Sequence, residues 1–453
     1  MSFFQRIASA WRDDDLIRRV LGSSGALFSS HGISLGLSVI QSILAARLLG
    51  PAGFGLVAIV MAYASTVNGL LSFRMGELVV RYGGEYLEKG QKEKAAALVK
   101  AASLSEGLVS ALAFLAVVVS AGLASEFIAK TPGTAGLFIL YALGLLANFN
   151  TETSRGVLQL LDKIKLEGVI NLLQSILTAG LIALAFFTQG DVRLVLYAYL
   201  AGKVVLGLGI FFTAFHHLSK RLGSGWWRAS FSVLPKFREL ARFAVSSNLS
   251  ATVILLFRES EILWVGYFLS SEAAGYYKAA YAIVGLLAVP ANPLILTTFP
   301  EINRLVVQKA WPRLRDFLRK ITSIAAVYNL GLAAGLILSG RWLLSFYGEQ
   351  YTAAYPALLA LLGGLVFNYI LFWNRPLLLS LGHPEYPLKA TLAAGLAKMA
   401  LAFAFVPRLG YVAEAALLSF YYIASVGAIA WRGMMEIRNQ ELNREDAKNA
   451  KVF

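Results

Sequence analysis

The chain has 453 residues, of which 57% are hydrophobic and only 15% are charged, and its mean hydropathy is +0.64. Soluble domains carry about 25% charged residues, so this composition excludes a soluble multidomain protein and indicates a chain solvated by lipid. The net charge is +15, and the cations cluster in short segments between apolar runs, which is typical of a membrane protein and not of a nucleic-acid-binding one.

Twelve apolar windows predict twelve membrane-spanning helices, because one span needs about 20 residues. The windows are 22–47, 55–73, 98–122, 137–158, 168–188, 194–216, 240–268, 278–299, 318–339, 353–374, 388–406 and 411–431. In the loops and the two terminal segments, 32 Lys and Arg lie on the side of the membrane that holds both termini, and 6 lie on the opposite side. Because cytoplasmic loops collect cations, we expect a multi-pass protein of the cell inner membrane with both termini in the cytoplasm.

The two halves of the chain share a pattern. Residues 43–63 align with residues 262–282, and Gly76-Glu77 aligns with Pro300-Glu301, at offsets of 219–224 residues. This predicts an all-α membrane protein with two six-helix lobes related by a pseudo-two-fold axis along the membrane normal. The predicted segments are a cytoplasmic amphipathic segment (1–21), an N-lobe (22–216), a cytoplasmic inter-lobe loop (217–239), a C-lobe (240–432) and a cytoplasmic tail (433–453).

Four stretches carry a family resemblance. They are ILAARLLGPAGFGLVAIV (43–60), EILWVGYFLSSEAAGYYKAAYAI (261–283), ILTTFPEINRL (295–305) and the segment from Leu379 to Ala416. Together they resemble the polysaccharide exporters, including the O-antigen flippases, in the superfamily that also contains the multidrug and toxic-compound extruders. The resemblance implies two lobes, alternating access and a lipid-linked oligosaccharide as cargo, used for surface polysaccharide such as lipopolysaccharide.

Such a cargo needs a polar path, because its charge and hydroxyls would lose their water in bare hydrocarbon. We therefore expect polar and cationic side chains on cavity-facing helices. The predicted substrate-binding residues are the intramembrane cations Arg258, Lys203 and Lys398 and the helical stripe of His31, Ser38 and Gln41. Alternatively, the two lysines pair with carboxylates on neighbouring helices, the stripe serves helix packing and Arg258 snorkels to the outer interface.

Three intramembrane acids are candidates for binding a coupling ion, either H⁺ or Na⁺. They are Glu106, Glu259 and Glu261, and Glu261 could instead lie at the outer interface. We expect no other cofactor and no metal site. Pro290 and Pro293 leave backbone carbonyls unpaired within one span, which predicts a hinge.

Four further charged residues mark a predicted cytoplasmic entrance. They are Arg74, Arg81, Glu152 and Arg155, near the inner ends of the second and fourth helices. The arginines suit capture of a pyrophosphate at the inner leaflet. Alternatively, Arg74 and Arg81 are ordinary cations of a cytoplasmic loop, and Glu152 and Arg155 belong to a polar network in which each group has its hydrogen-bond partner.

The sequence favours a transporter over an enzyme. The predicted outer loops are short, no phosphate-binding G-x-x-x-x-G-K-[ST] motif occurs, the four histidines lack zinc-ligand spacing, and cysteine is absent. The alternatives are a multidrug or cation extruder of the same superfamily, a scramblase without ion coupling, and a membrane enzyme of glycan assembly. The expected partners are the lipid-linked oligosaccharide, membrane lipids and docked glycan polymerase or glycosyltransferases, with no nucleic acid and a monomeric chain.

Overall fold

The computed structural model describes residues 15–73, 75–234, 252 and 254–449. Side chains within these ranges are described except at 15–33, 35, 289–293, 296 and 443–449. This part of the chain is helical with no strand. The predicted all-α membrane fold is confirmed.

Six main helices form the first half of the chain. They are α1 (Asp15–Leu71), α2 (Lys92–Leu123), α3 (Ala135–Ala147), α4 (Thr151–Leu160), α5 (Ile164–Phe187) and α6 (Val192–Leu222). Short helical turns connect α1 to α2 over Met75–Leu78, Val79–Gly83 and Gly84–Glu88.

Eight main helices follow the inter-lobe region, after a five-residue turn at Leu255–Glu259. They are α7 (Glu261–Phe268), α8 (Ser271–Val284), α9 (Ala288–Val307), α10 (Trp311–Ser345), α11 (Tyr355–Ile370), α12 (Asn374–Ser380), α13 (Glu385–Leu409) and α14 (Tyr411–Asn449). The predicted window 278–299 starts too late, because α8 begins at Ser271. Lys278 therefore lies inside a helix and not in an outer loop.

Eight helical segments of the described chain are long and apolar enough to cross a membrane. The first of them, Gly36–Leu71, joins two predicted windows. The two windows meet at a kink in α1, where Gly50 has a φ of 65° and Pro51 follows. Glycine adopts this left-handed backbone readily and proline lacks an N–H donor, so the pair interrupts the helical hydrogen bonds. Residues 240–251 and 253 of the predicted window 240–268 lie outside the described residues.

Two predicted spans are broken in the structure. The window 137–158 contains α3 and α4, and the window 353–374 contains α11 and the start of α12. Helices α4 and α12 begin 223 residues apart, which lies within the offsets of 219–224 that the repeat predicts. Non-helical backbone at membrane depth is tolerated only inside protein or along a cavity. The second break fits this rule by burial, because Phe372 and Trp373 lie in an apolar cluster.

The contacts divide the chain into two compact units. One consists of residues 33–278, and the other contains residues 279–453. The division lies later than the predicted inter-lobe loop 217–239, since α7 and the start of α8 group with the first half. The predicted hinge residues Pro290 and Pro293 lie in α9, just after a tight 3₁₀ turn, but their side chains are outside the described part.

An apolar cluster fixes α4 within the first unit. Val157 and Leu158 of α4 pack with Val99 of α2 and Ile210 of α6, and all four are fully buried. The other face of α4 meets the turn at Met75–Leu78 through a backbone contact. A Cβ atom on Gly156 would lie 2.8 Å from the carbonyl oxygen of Gly76, so only glycine allows this approach.

Candidate functional site

A cavity of about 440 Å³ lies within the first unit. Its walls come from α1, α2, α3, α4, α6 and the turn at Leu255–Glu259. The structure brings five predicted site residues together on these walls, and they are Glu106, Glu152, Arg155, Lys203 and Glu259. A polar cavity of this kind can admit water and a charged group within an otherwise apolar helical unit.

Lys203 of α6 contributes an ammonium group to the cavity wall. Its Nζ atom lies 4.9 Å from the ring centroid of Tyr141, a cation–π contact with α3. Within the described part of the chain, no carboxylate lies within ion-pair distance of this ammonium. The described residues therefore do not include the carboxylate partner that the sequence suggested as an alternative. The ammonium of Lys203 is available to bind an anionic ligand.

Glu106 of α2 binds the first turn of α4. Its Oε1 accepts a hydrogen bond from the N–H of Glu152 and its Oε2 accepts one from the N–H of Thr153, both at 2.8 Å. The residue is only 8% exposed. The first N–H groups of a helix have no partner within the helix, so the carboxylate supplies the acceptors that α4 lacks. In this structure Glu106 is thus a helix cap as well as a cavity residue.

Two asparagines hold the break between α3 and α4. The Asn148 amide donates to the carbonyl oxygens of Gly144 and Lys203, at 2.8 and 3.1 Å. The Asn150 amide donates to the carbonyl oxygen of Ser103 on α2 at 3.2 Å. These bonds satisfy backbone groups that would otherwise be costly to bury, and they connect the break to α2 and α6.

The predicted cytoplasmic entrance is only partly assembled at the cavity. Arg155 and Glu152 line it, and the Arg155 guanidinium pairs with Glu152 at 3.6 Å and with Glu167 of α5 at 2.6 Å. Arg81 is exposed away from the cavity lining, with its guanidinium 5.3 Å from the Tyr82 ring centroid. Arg74 lies outside the described residues.

Ser38 and Gln41 of the predicted stripe on the first helix do not line this cavity. The Gln41 side chain is buried and donates to the carbonyl oxygen of Ser175, at 2.9 Å, which connects α1 to α5. Ser38 is exposed, and the side chain of His31 is outside the described part of the chain. For Gln41 the structure thus shows the helix-packing role that was the alternative.

The charged residues at 258–261 face different surroundings. Glu259 is exposed to the cavity, whereas Glu261 is buried and accepts a hydrogen bond from the Tyr277 hydroxyl at 2.9 Å. Arg258 is half-buried and does not line the cavity. Leu255–Glu259 is a single π-helical turn and a new helix begins at Glu261, and the sequence carries no clear signal for this change of winding.

Lys398 lies on α13 in the second unit. Its Nζ atom is 3.1 Å from Oε1 of Glu414, and the two side chains are 1% and 0% exposed. The structure therefore shows the alternative considered from the sequence, a carboxylate partner on a neighbouring helix. The pair connects α13 to α14 inside the helical core.

A family model described as polysaccharide biosynthesis protein matches residues 20–306, which is more than half of the chain. The chain belongs to the polysaccharide biosynthesis protein family. This confirms the predicted relationship to the polysaccharide exporters.

Two curated relatives of this chain are distant in sequence. The inner membrane protein YghQ of Escherichia coli (strain K12) is 23% identical over 347 residues, which are 76% of this chain and 97% of YghQ. The teichuronic acid biosynthesis protein TuaB of Bacillus subtilis (strain 168) is 24% identical over 222 residues, which are 48% of this chain and 43% of TuaB.

Solved structures of MOP superfamily transporters share the fold of this chain. An inward-facing multidrug resistance MATE transporter superposes with a TM-score of 0.71 at 17% identity, covering 90% of this chain and 95% of that chain. A Pyrococcus furiosus MOP transporter, described as having a binding pocket of reversed polarity, gives 0.66 at 16% identity, covering 94% and 97%. The multi-pass, all-helical architecture is therefore that of this superfamily.

Proposed function

We propose that this protein is a flippase that moves a polyprenyl-(pyro)phosphate-linked oligosaccharide from the inner to the outer leaflet by alternating access. The cargo serves surface polysaccharide synthesis, and the protein lies in the cell inner membrane with both termini in the cytoplasm. The family description and the names of YghQ and TuaB support this assignment.

The observation that carries the proposal is the ammonium of Lys203 on the cavity wall. A cation inside a spanning helix is costly, so it is retained where it has a ligand or a function. Among the lining acids, Glu106 is engaged by two backbone N–H groups and Glu152 by Arg155. Glu259 is the remaining lining acid and is exposed, whereas Lys203 on the α6 wall is a lining cation for which the described part of the chain offers no carboxylate within ion-pair distance, so this wall suits a phosphate.

Coupling to an ion is part of the proposal. Glu106 and Glu259 line the same cavity as Lys203, so a proton or Na⁺ bound by either acid would change the field that an anionic cargo meets. Glu261 contributes less directly, because its carboxylate is buried against Tyr277.

The test uses cells that lack the protein. We would extract lipids, measure polyprenyl-linked oligosaccharide on the inner leaflet and record sensitivity to cationic dyes. The proposal predicts accumulation without dye sensitivity, and restoration by the wild-type chain. Dye sensitivity without accumulation would instead assign the protein to cation extrusion.

Variants at Lys203 connect the cell result to the cavity. Lys203→Gln removes the cation and should restore export poorly, whereas Lys203→Arg keeps the charge and should restore it in part. Lys220→Gln is the matched control, because Lys220 is an exposed cation on the same helix and outside the cavity lining. Equal export by all three variants would contradict a role for the Lys203 charge.

A further inference from the structure

We propose that Glu106 is a proton-binding site whose protonation state is coupled to the position of α4. The inference rests on the proposed function only in taking the cavity as part of a transport path. The proton exchanges with water in the cavity, and the moving element is the half-helix Thr151–Leu160.

Burial and helix capping have opposite effects on the charged form of the Glu106 carboxylate. A carboxylate in a spanning segment is disfavoured as an anion because it has lost its water. Two N–H donors at the positive end of a helix compensate for that loss and favour the anion. Within the part of the chain that the structure describes, Glu106 accepts such bonds from the N–H groups of Glu152 and Thr153, both in this turn. Its charge therefore depends on α4 being in place.

The coupling between protonation of Glu106 and the position of α4 acts in both directions. If the position of α4 changes the affinity of Glu106 for a proton, then protonation changes the stability of that position by the same factor. A protonated carboxyl group keeps only one good acceptor and donates a proton itself, so it cannot accept both N–H bonds equally. Proton uptake should thus release the first turn of α4.

Helix α4 can act as a separate element. It is bounded by the break at 148–150 and by a turn after Leu160. The preceding turns contact α4 through the backbone approach of Gly156 to Gly76 and through the side chains of Met75 and Val79, which pack in the apolar cluster with α4. The bonds of Glu106 hold the first turn of α4, before the residues of that cluster, so this turn is the part that protonation releases. Because α4 carries Glu152 and Arg155, its displacement would change the charges on the cavity wall.

The internal repeat provides a comparison. Helix α12 begins 223 residues after α4, and the residue 223 positions after Glu106 is Asn329 on α10. Asn329 is buried, and its amide donates to the carbonyl oxygen of Ala325 at 2.8 Å. The side-chain amide of asparagine does not take up a proton near neutral pH. Only the first half therefore has a titratable group at this position.

The experiment must distinguish Glu106 from the other charged groups around the cavity. They are Glu152 and Arg155 on α4, Lys203 on α6, Glu259 in the turn before α7, and Glu167 of α5 through its pair with Arg155. The lining residues described on α1 carry no charge. A variant at Glu106 alone must abolish the pH response for the proposal to hold, because each of these groups could otherwise produce one.

The experiment exploits the absence of cysteine. Ser65 lines the cavity from α1 and is exposed, so Ser65→Cys gives a single reporter thiol. We would reconstitute this variant in nanodiscs and measure its modification by a small maleimide between about pH 5.5 and about pH 8, dividing each rate by that of a model thiol at the same pH to remove the titration of the thiol itself. The readout needs no cargo, so its failure is distinguishable from failure of the flippase assignment.

The expected result is a corrected rate that changes at least about threefold across the range, as expected when a protonation shifts a two-state element. Ser65→Cys/Glu106→Gln should give a flat profile, because glutamine keeps the shape of the protonated acid. Ser65→Cys/Glu93→Gln is the matched control, with an exposed acid removed from the same helix, and should retain the change. A flat parent profile, or an unchanged response with Glu106→Gln, would overturn the proposal.

If Glu106→Gln does not fold, Glu106→Asp decides. The shorter carboxylate reaches the two N–H groups less well, so the midpoint of the response should differ from that of the parent. A midpoint that stays at the parent value would overturn the proposal.

Discussion

Lys398 and Glu414 form an ion pair whose side chains are 1% and 0% exposed. Removing one partner of a buried pair leaves an uncompensated charge, which costs about 3–5 kcal/mol, whereas replacing both by apolar residues is often tolerated. We therefore expect Lys398→Met to lower thermal stability strongly and Lys398→Met/Glu414→Leu to recover most of it. Thermal unfolding of the purified variants in detergent checks this.

A cargo role for Lys398 makes the opposite prediction. If the lysine bound cargo, the double variant would fold well but fail in export. Normal export by a stable double variant would establish that the pair is structural.

The backbone contact between Gly156 and Gly76 predicts a steric effect. A Cβ atom on Gly156 would also lie 2.9 Å from the Cα atom of Gly76, and backbone on both sides leaves little room to adjust. Gly156→Ala should therefore destabilise the chain by about 1–3 kcal/mol, which is typical of overpacking. Gly180→Ala on α5 is the control, because nothing lies within 4 Å of its Cβ position. Equal unfolding temperatures for the two variants would contradict the close approach.

Most of the helices can be predicted from apolar runs in the sequence. The breaks inside the predicted spans cannot. The window 137–158 predicts one unbroken span, although Asn148 and Asn150 interrupt its apolar run, because two polar residues alone do not show that a helix ends there. What stabilises the break is long-range, since Asn150 bonds to Ser103 and Glu106 bonds to Glu152. Such contacts depend on how α2 and α4 are packed, which periodicity alone does not determine.

The candidate site shows the same limit. The sequence singles out Glu106, Lys203 and Lys398 because a charge in a spanning helix is unusual. It does not distinguish a cation on a cavity wall from one paired within the core, since that depends on helix rotation. The structure places Lys203 in the first class and Lys398 in the second.

The charge asymmetry between loops predicts the orientation in the membrane. Ser224 lies in the predicted cytoplasmic inter-lobe loop and Gln350 in a predicted outer turn, and both are exposed. Because the chain has no cysteine, Ser224→Cys and Gln350→Cys each give one thiol. A membrane-impermeant maleimide added to cells whose inner membrane is accessible from outside should modify only Gln350→Cys. Modification of Ser224→Cys alone would invert the proposed topology.

The central claim is that the protein moves an anionic lipid-linked oligosaccharide past Lys203. The most direct measurement reconstitutes the purified chain in vesicles with a fluorescent polyprenyl-pyrophosphate oligosaccharide and follows its movement between leaflets by quenching from outside. We predict protein-dependent movement that falls about tenfold with Lys203→Gln, the loss expected for one charge-assisted contact, and is unchanged with Lys220→Gln. Movement no faster than in protein-free vesicles, or equal movement by Lys203→Gln, would contradict the account.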